Sequence, residues 1–375
     1  MKSVIQVLPA LNQGGVERGT IEIATALKKA GIPNYVISAG GKMVPELKKI
    51  GVEHITLPVA TKNPIKMWLN AQKMAKIFKE KEAGLIHVRS RAPAWSVKWA
   101  SQKTSIPYIA TYHGRYGTKP ALKKLYNRVM VQGEKVIAVS NFIKQHLMDE
   151  YQVPENKIVV IHRGADTNLF NPVHIGQDKV QDFLTTHDIP LDKPIISLVG
   201  RLTRMKGQSV MLEAVKQMQH QEITILLIGG NPKAGYDKEL QAELTGLPEE
   251  TTVKIFAVPG KEMPVVYAAS DIFVQPSLIP ESFGRSIAEA GAMKRVVVAA
   301  AHGGACELIK NGKNGFLTPV GDAAALASKL DKILDMSPKQ RAQIGEAAHA
   351  NICTNFTIQN MCEKTLALYK KFLKG

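Results

Sequence analysis

Two stretches of this 375-residue chain place charged side chains where short apolar runs give way to helical patterns. The run Ile195 to Val199 leads into Gly200-Arg201-Leu202-Thr203-Arg204-Met205-Lys206-Gly207. Read as a strand, it sets Arg201 and Lys206 just past its carboxyl end and ahead of a helix. Two cations beside a helix N-terminus form a clamp for a diphosphate, stabilising charge on a departing pyrophosphate without a metal. A solvated basic loop is the plain alternative. The second stretch, Pro280-Glu281-Ser282-Phe283-Gly284-Arg285-Ser286-Ile287-Ala288-Glu289-Ala290, follows Pro276-Ser277 and sets Glu281 at a helix mouth and Glu289 along its first turns. Carboxylates accept paired hydrogen bonds from vicinal hydroxyls, so sugar and ribose diols suit both, and the Phe283 and Gly284 amides point at phosphate. An acidic residue at a helix start followed by a solvent-facing glutamate is the bland reading. A weaker third signal, Asn12-Gln13-Gly14-Gly15-Val16-Glu17-Arg18, opens a helix on a glycine pair whose bare N–H groups approach an anion or simply make a tight turn. No Asp-x-Asp-type cluster stands near the clamp to hold a metal.

The elements that must position these residues alternate along the whole chain. Val4 to Leu8, Tyr35 to Ser38, Leu85 to Val88, Tyr108 to Thr111, Val136 to Val139 and Ile158 to Ile161 read as strands, with helices from Val16 to Ala30 and Ile65 to Lys81 among the crossovers. A second set comprises Ile195 to Val199, Ile223 to Ile228, Val253 to Phe256, Ile272 to Val274 and Val296 to Ala299. Strands separated by helix-length crossovers imply parallel sheets covered on both faces. The rhythm breaks over residues 171 to 193, where Pro172, Gly176, Pro190 and Pro194 bracket a polar stretch. The expected architecture is α/β: two Rossmann-like doubly wound domains, 1–171 and 172–355, facing a central cleft, with ligands at the carboxyl ends of the strands. A C-terminal helix, 356–375, is expected to pack back on the first domain.

Composition narrows the partners. Lys plus Arg total 49 against 32 Asp plus Glu, a net charge of +17. The first 175 residues hold 26 basic and 11 acidic side chains, and the remaining 200 hold 23 and 21, so nearly all the positive field belongs to the first half. That half is drawn to an anion: a lipid surface, a phosphorylated glycan or nucleic acid. Cys306, Cys353 and Cys362 suggest neither a disulfide framework nor a zinc cluster, which fits a reducing compartment. Residues 1 to 10 read as a strand and loop rather than a leader, and no apolar run approaches the roughly 18 residues that span a bilayer.

In order along the chain, Gly14-Gly15-Val16-Glu17, Gly200-Arg201 with Lys206-Gly207, Glu281-x7-Glu289 and Gly303-Gly304-Ala305-Cys306-Glu307 resemble the retaining family-4 glycosyltransferases of GT-B architecture. The resemblance implies that Arg201 and Lys206 bind the donor diphosphate, Glu281 the transferred sugar and Glu289 the nucleotide ribose. Phe283 and Gly284 would add backbone contacts, and Gly15, with Gly14, would approach the phosphate from the first domain. His113, in Thr111-Tyr112-His113-Gly114-Arg115, is similar to the family's cleft histidine, which contacts the donor sugar. No metal and no cofactor is implied, the nucleotide sugar being a substrate; Arg201, Lys206, Glu281 and His113 would form the catalytic set. The segment Ile161-His162-Arg163-Gly164-Ala165-Asp166 resembles a family Asn-Gly-Val-Asp segment and reads as a structural turn. Met293-Lys294-Arg295 and Phe256-Ala257 depart from the family's pattern, which leaves the base and sugar of the donor open.

Residues 62 to 128 contain 15 Lys plus Arg against Glu80 and Glu82 alone. On a helical wheel Ile65, Met67, Trp68, Ala71, Ala75 and Phe78 share one side, and Lys62, Lys66, Lys73 and Lys81 gather opposite. Such a helix either lies on anionic lipid or packs in the core with a solvated basic face. With Arg89, Arg91, Arg115, Lys119, Lys123, Lys124 and Arg128 nearby, the pattern favours a peripheral enzyme on the inner, cytoplasmic face of the plasma membrane, its acceptor a lipid-linked or phosphorylated glycan. Arg89-Ser90-Arg91-Ala92-Pro93-Ala94-Trp95, together with Tyr112-His113-Gly114, is similar to bacterial lipopolysaccharide-core transferases. The rival readings are a GT-B nucleotide-sugar epimerase, which needs no acceptor, and a basic nucleic-acid-binding protein, which leaves the clamp and both glutamates without a role.

Overall fold

The computed structural model describes residues 1–12, 14–117, 121–230 and 235–373. The chain forms two compact units, Met1–His162 with Gln359–Gly375, and Arg163–Ile358.

The first unit is built on a seven-stranded parallel sheet: β1 (Ser3–Val7), β2 (Asn34–Ser38), β3 (Glu53–Thr56), β4 (Ala83–Val88), β5 (Tyr108–Tyr112), β6 (Val136–Ala138) and β7 (Ile158–Val160). Their order is β3-β2-β1-β4-β5-β6-β7, so the winding reverses between β1 and β4. β1 and β4 are buried along their whole length, as the apolar runs in the sequence require. β3 is the unforeseen strand, four residues whose alternation is broken by Glu53 and His54 and which pairs on one side only.

The crossover helix Pro64–Glu80 starts where Asn63 accepts the Lys66 N–H through its side chain and Pro64 takes the first helical position. It buries Met67, Ala71, Met74, Ala75 and Phe78, and Ser96 of the neighbouring helix Arg91–Thr104 donates to the Met67 carbonyl. Of the apolar side expected from the wheel, Ile65 and Trp68 remain outside this contact, 69% and 55% exposed, with Leu69 beside them. The helix is thus core-packed along one stripe and carries an apolar first turn in solvent. The closing helix, Ile358–Leu373, lies almost wholly in the first unit. There its fully buried Tyr369 hydroxyl is hydrogen-bonded to His87, whose other ring nitrogen lies 2.7 Å from the Thr111 hydroxyl. The last two residues of the expected helix 356–375 lie outside the described residues.

The second unit holds six parallel strands, β8 (Ile195–Val199), β9 (Thr224–Ile228), β10 (Thr252–Phe256), β11 (Ile272–Gln275), β12 (Val296–Ala300) and β13 (Phe316–Thr318), in the order β10-β9-β8-β11-β12-β13. The three-residue edge strand β13 was also unforeseen. The unit begins earlier than the break expected after residue 171, because the Gly164 region is laced to the chain that leaves it. Ala165 donates to the Phe356 carbonyl (2.8 Å), and Ile358 donates to the Ala165 carbonyl (3.0 Å). A side chain at Gly164 would meet the Thr357 carbonyl carbon at 2.1 Å, so only glycine permits this approach. The three cysteines are free.

Candidate active site

In the second sheet the winding reverses between β8 and β11, and in open α/β sheets a ligand crevice lies past the carboxyl ends of the strands at that point. Three loops meet there. The first, Gly200–Gly207, ends in the short 3-10 turn Arg204–Lys206. Gly207 has φ +76°, and a Cβ there would come within 2.0 Å of the Pro276 carbonyl oxygen at the head of the second loop. The Leu278 N–H donates to the Met205 carbonyl at 2.9 Å, so these loops are also joined by backbone. The third loop follows β12. A side chain at Gly303 (φ +61°) would collide with the Glu281 carbonyl oxygen, and the Gly304 N–H donates to that oxygen at 2.8 Å.

The loops converge on Glu281. Its Oε1 accepts from the Lys206 ammonium at 2.5 Å and from the Ser277 hydroxyl at 3.2 Å. His302, from the third loop, hydrogen-bonds the Ser277 backbone and feels the Glu281 charge; burial is the main effect on its ring and lowers its pKa. The cations of the first loop have separate fates. Arg204 pairs with Glu239 across an exposed surface. Arg201 is exposed and, among the described residues, its side chain makes no ion pair.

Gly284, at φ +96°, opens the helix Arg285–Ala292, which carries Glu289. Phe283 is buried and packs edge-tilted on Phe356, so what it offers a ligand is backbone. Glu289 accepts from Tyr267 through Oε2 and from Arg285 through Oε1, both at 3.1 Å. The second unit therefore gathers Lys206, Glu281, Phe283 and Gly284 around one rim, with Arg201 in the loop of Lys206 and Glu289 on the helix that Gly284 opens. Ser277, His302, Tyr267 and Arg285 were not foreseen as partners of these residues. Position after a strand end was the available signal for Ser277 and His302. Tyr267 had none.

The departure Met293-Lys294-Arg295 lies before β12, at the opposite end of the sheet. There Arg295 donates to the carbonyls of Met293, Ala268 and Ser270, a structural role that leaves it clear of the rim.

In the first unit Gly14 and Gly15 follow β1, and Gly15 opens the helix Gly15–Lys29. Gln13 lies outside the described residues. His113 is half-buried, directly past β5. The expected basic surface divides. Lys62, Lys66, Lys73 and Arg115 are exposed. Arg91 is half-buried, stacked 4.0 Å over the Tyr116 ring and bonded to Asn127. Arg89 is withdrawn altogether: it is 3% exposed and turned toward Tyr369 and Glu22, so it does not contact a membrane or acceptor from this position. Burial lowers its pKa while Tyr369 and Glu22 oppose the shift. Lys119 lies outside the described residues. Among the described residues no group of three or more His, Cys, Asp or Glu side chains is placed to hold a metal ion, and no helix is long and apolar enough to cross a membrane.

Residues 181–351 match the family Glycosyl transferases group 1, and residues 13–169 match Glycosyltransferase Family 4. A glycosyltransferase from Rickettsia africae ESF-5 superposes on the whole chain with a TM-score of 0.93 and 38% identity, over 99% of its own length. This chain is a family-4 glycosyltransferase of GT-B fold. The enzyme is also similar to the D-inositol 3-phosphate glycosyltransferase of Corynebacterium diphtheriae, 32% identical over 71% of this chain and 65% of that one. Anabaena Alr3699/HepE, solved with UDP-glucose, shares the fold at a TM-score of 0.84 and 22% identity, over 99% of this chain and all of that one.

Proposed function

We propose that the enzyme transfers a hexosyl unit, with retention and without a metal, from a UDP- or GDP-linked sugar to a hydroxyl of a lipid-linked or lipopolysaccharide-core glycan at a membrane surface. The observation that carries the donor half is the junction of Lys206 and Glu281 at the switch point, with Arg201 in the loop of Lys206 and Glu289 on the helix that follows Glu281. In this reading Arg201 and Lys206 hold the diphosphate, Glu281 the sugar and Glu289 the ribose, with the Phe283 and Gly284 backbone on phosphate. Cations fixed where the leaving group gains charge lower the barrier because they need no reorganisation as the bond breaks. The acceptor hydroxyl attacks on the face that the diphosphate leaves, through an oxocarbenium-like state, and the departing phosphate oxygen takes its proton. The parts of Gly14, Gly15 and His113 in donor contact rest on the family resemblance alone.

The acceptor half is supported by the first unit's charge and by the solvent-exposed Ile65, Trp68 and Leu69 beside Lys62, Lys66 and Lys73. An apolar turn ringed by lysines suits the boundary between headgroups and acyl chains. The test is turnover of a panel of UDP- and GDP-hexoses by the wild type, Arg201→Ala and Lys206→Ala. Each variant is expected to lose at least ~10²-fold in kcat, the scale of a lost preorganised charge stabiliser. Near-normal turnover in both contradicts the clamp.

A further inference from the structure

The hydrogen bonds around Glu289 single out a residue that neither spacing nor family likeness brought forward. Tyr267, on the helix Met263–Ala269, is fully buried. Its ring is held edge-on by Phe273 at 5.6 Å and by Phe170 at 5.8 Å, so its hydroxyl sits at the end of a rigid arm. That hydroxyl reaches Glu289 Oε2, while Arg285 reaches Oε1 from one helical turn away. Burial first, and the charge of Glu289 second, raise the pKa of Tyr267 well above that of a free phenol. The phenol therefore keeps its proton at any working pH and can only donate toward the carboxylate.

An ionised carboxylate offers about four lone-pair sites. The terminal torsion of a glutamate is broad, so a lone Glu on a helix presents those sites in many directions. Here each oxygen accepts from a group on a different element.

We propose that Tyr267 is a positioning residue for nucleotide recognition: with Arg285 it fixes the rotation of the Glu289 carboxylate so that both oxygens face a vicinal diol, the 2′,3′-hydroxyls of the nucleotide ribose. The inference rests on the reading of Glu289 given above and adds what makes that carboxylate a two-point acceptor rather than a mobile charge. Preorganisation of this kind shows in affinity, because the ordering cost is met before the ligand arrives.

The test uses the full chain, calorimetric titration with UDP and GDP, and the 2′-deoxy analogue of whichever binds. Tyr267→Phe keeps the ring and its packing and removes only the hydroxyl. It is expected to weaken the ribonucleotide ~10-fold, the scale of one hydrogen bond to a charged group. The preference for ribo- over deoxyribonucleotide should shrink by a similar factor, and KM for the donor should rise with kcat changed less than about threefold. In a Glu289→Gln background the same substitution should add little, because the partner is gone. Arg285→Met, on the more exposed flank, is a second variant with the same expected loss of ribose preference. A merely structural role would lower the melting temperature and weaken both nucleotides alike. Unchanged affinity, or equal weakening of the two, overturns the proposal. A wild type that binds neither UDP nor GDP overturns the reading of the site itself, and this inference falls with it.

Discussion

The Lys206 ammonium lies 2.5 Å from Glu281 Oε1, with the two side chains only 20% and 27% exposed. The pair bridges the loops after β8 and β11, so a ligand that meets one meets the other. With the diphosphate on Lys206 as proposed, it would compete with Glu281 for the same ammonium and release Glu281 toward the sugar. Glu281→Gln should accordingly separate binding from transfer. Nucleoside-diphosphate affinity should stay within about threefold or improve, while kcat falls at least ~10²-fold. Calorimetry beside steady-state kinetics reads both; a loss of affinity matching that of Lys206→Ala would show that Glu281 serves only to hold the lysine.

Gly207 is where the fold supports the loop of Lys206. With φ +76° and the Pro276 carbonyl 2.0 Å from any added Cβ, alanine must strain or displace the loop that carries Lys206. Gly207→Ala should destabilise the second unit by ~1–3 kcal/mol, the range for residues held in sparsely populated backbone regions, and should weaken nucleotide binding more than substitutions of the loop's residues other than Arg201 and Lys206. Thermal melts and titration check this. An unaltered melting temperature would contradict the close approach.

Much of the fold was legible in the sequence, and each miss has a physical cause. Central strands such as β4 and β8 are buried on both faces and spell themselves out as apolar runs. The edge strands β3 and β13 are three or four residues long and hold apolar runs of at most two residues, so they left no such mark. The positions of Arg201, Lys206 and Glu281 could be placed past strand ends because the apolar runs before them are readable. Tyr267, 22 residues before Glu289, reaches it only through tertiary packing, as Arg89 reaches Tyr369. No local pattern encodes either meeting, and none foretold that Arg89 would turn inward while Lys62, Lys66 and Lys73 turned out.

That division of the basic residues makes a two-part prediction. Replacing Lys62, Lys66 and Lys73 together by Gln should lower cosedimentation with vesicles rich in phosphatidylserine, each lysine contributing up to about 1 kcal/mol near such a surface. Trp68→Ser should lower it further, and raised salt should mimic the lysine changes. Arg89→Met should leave vesicle binding intact and act on stability, since it alters a buried cation packed against Tyr369. Vesicle binding that ignores the lysines yet falls with Arg89→Met would reverse the assignment.

Stability should also fall as the solution becomes mildly acidic. Burial lowers the pKa of His54, His146 and His302, aided by the charge of Lys48 at His54 and of Arg115 at His146. An unfolded histidine titrates near 6.5, so below that pH the unfolded chain takes up protons that the fold refuses. The contribution is complete above about pH 6.5 and is lost as the pH drops toward the lower, folded values. The carboxylates of Glu155 and Asp188, held down by Lys144 and Lys254, titrate below this window. Melting temperature should decline from pH 7.5 to 5.5, less steeply in His146→Gln. A flat profile would count against these histidines being held neutral.

The most direct measurement is a crystal structure of the full chain with a bound nucleoside diphosphate, UDP or GDP as affinity dictates. The diphosphate is expected within hydrogen-bonding distance of Arg201 and Lys206, with the Lys206–Glu281 contact lengthened and the ribose hydroxyls on Glu289. A diphosphate bound elsewhere, with the Lys206–Glu281 pair still closed, would contradict this.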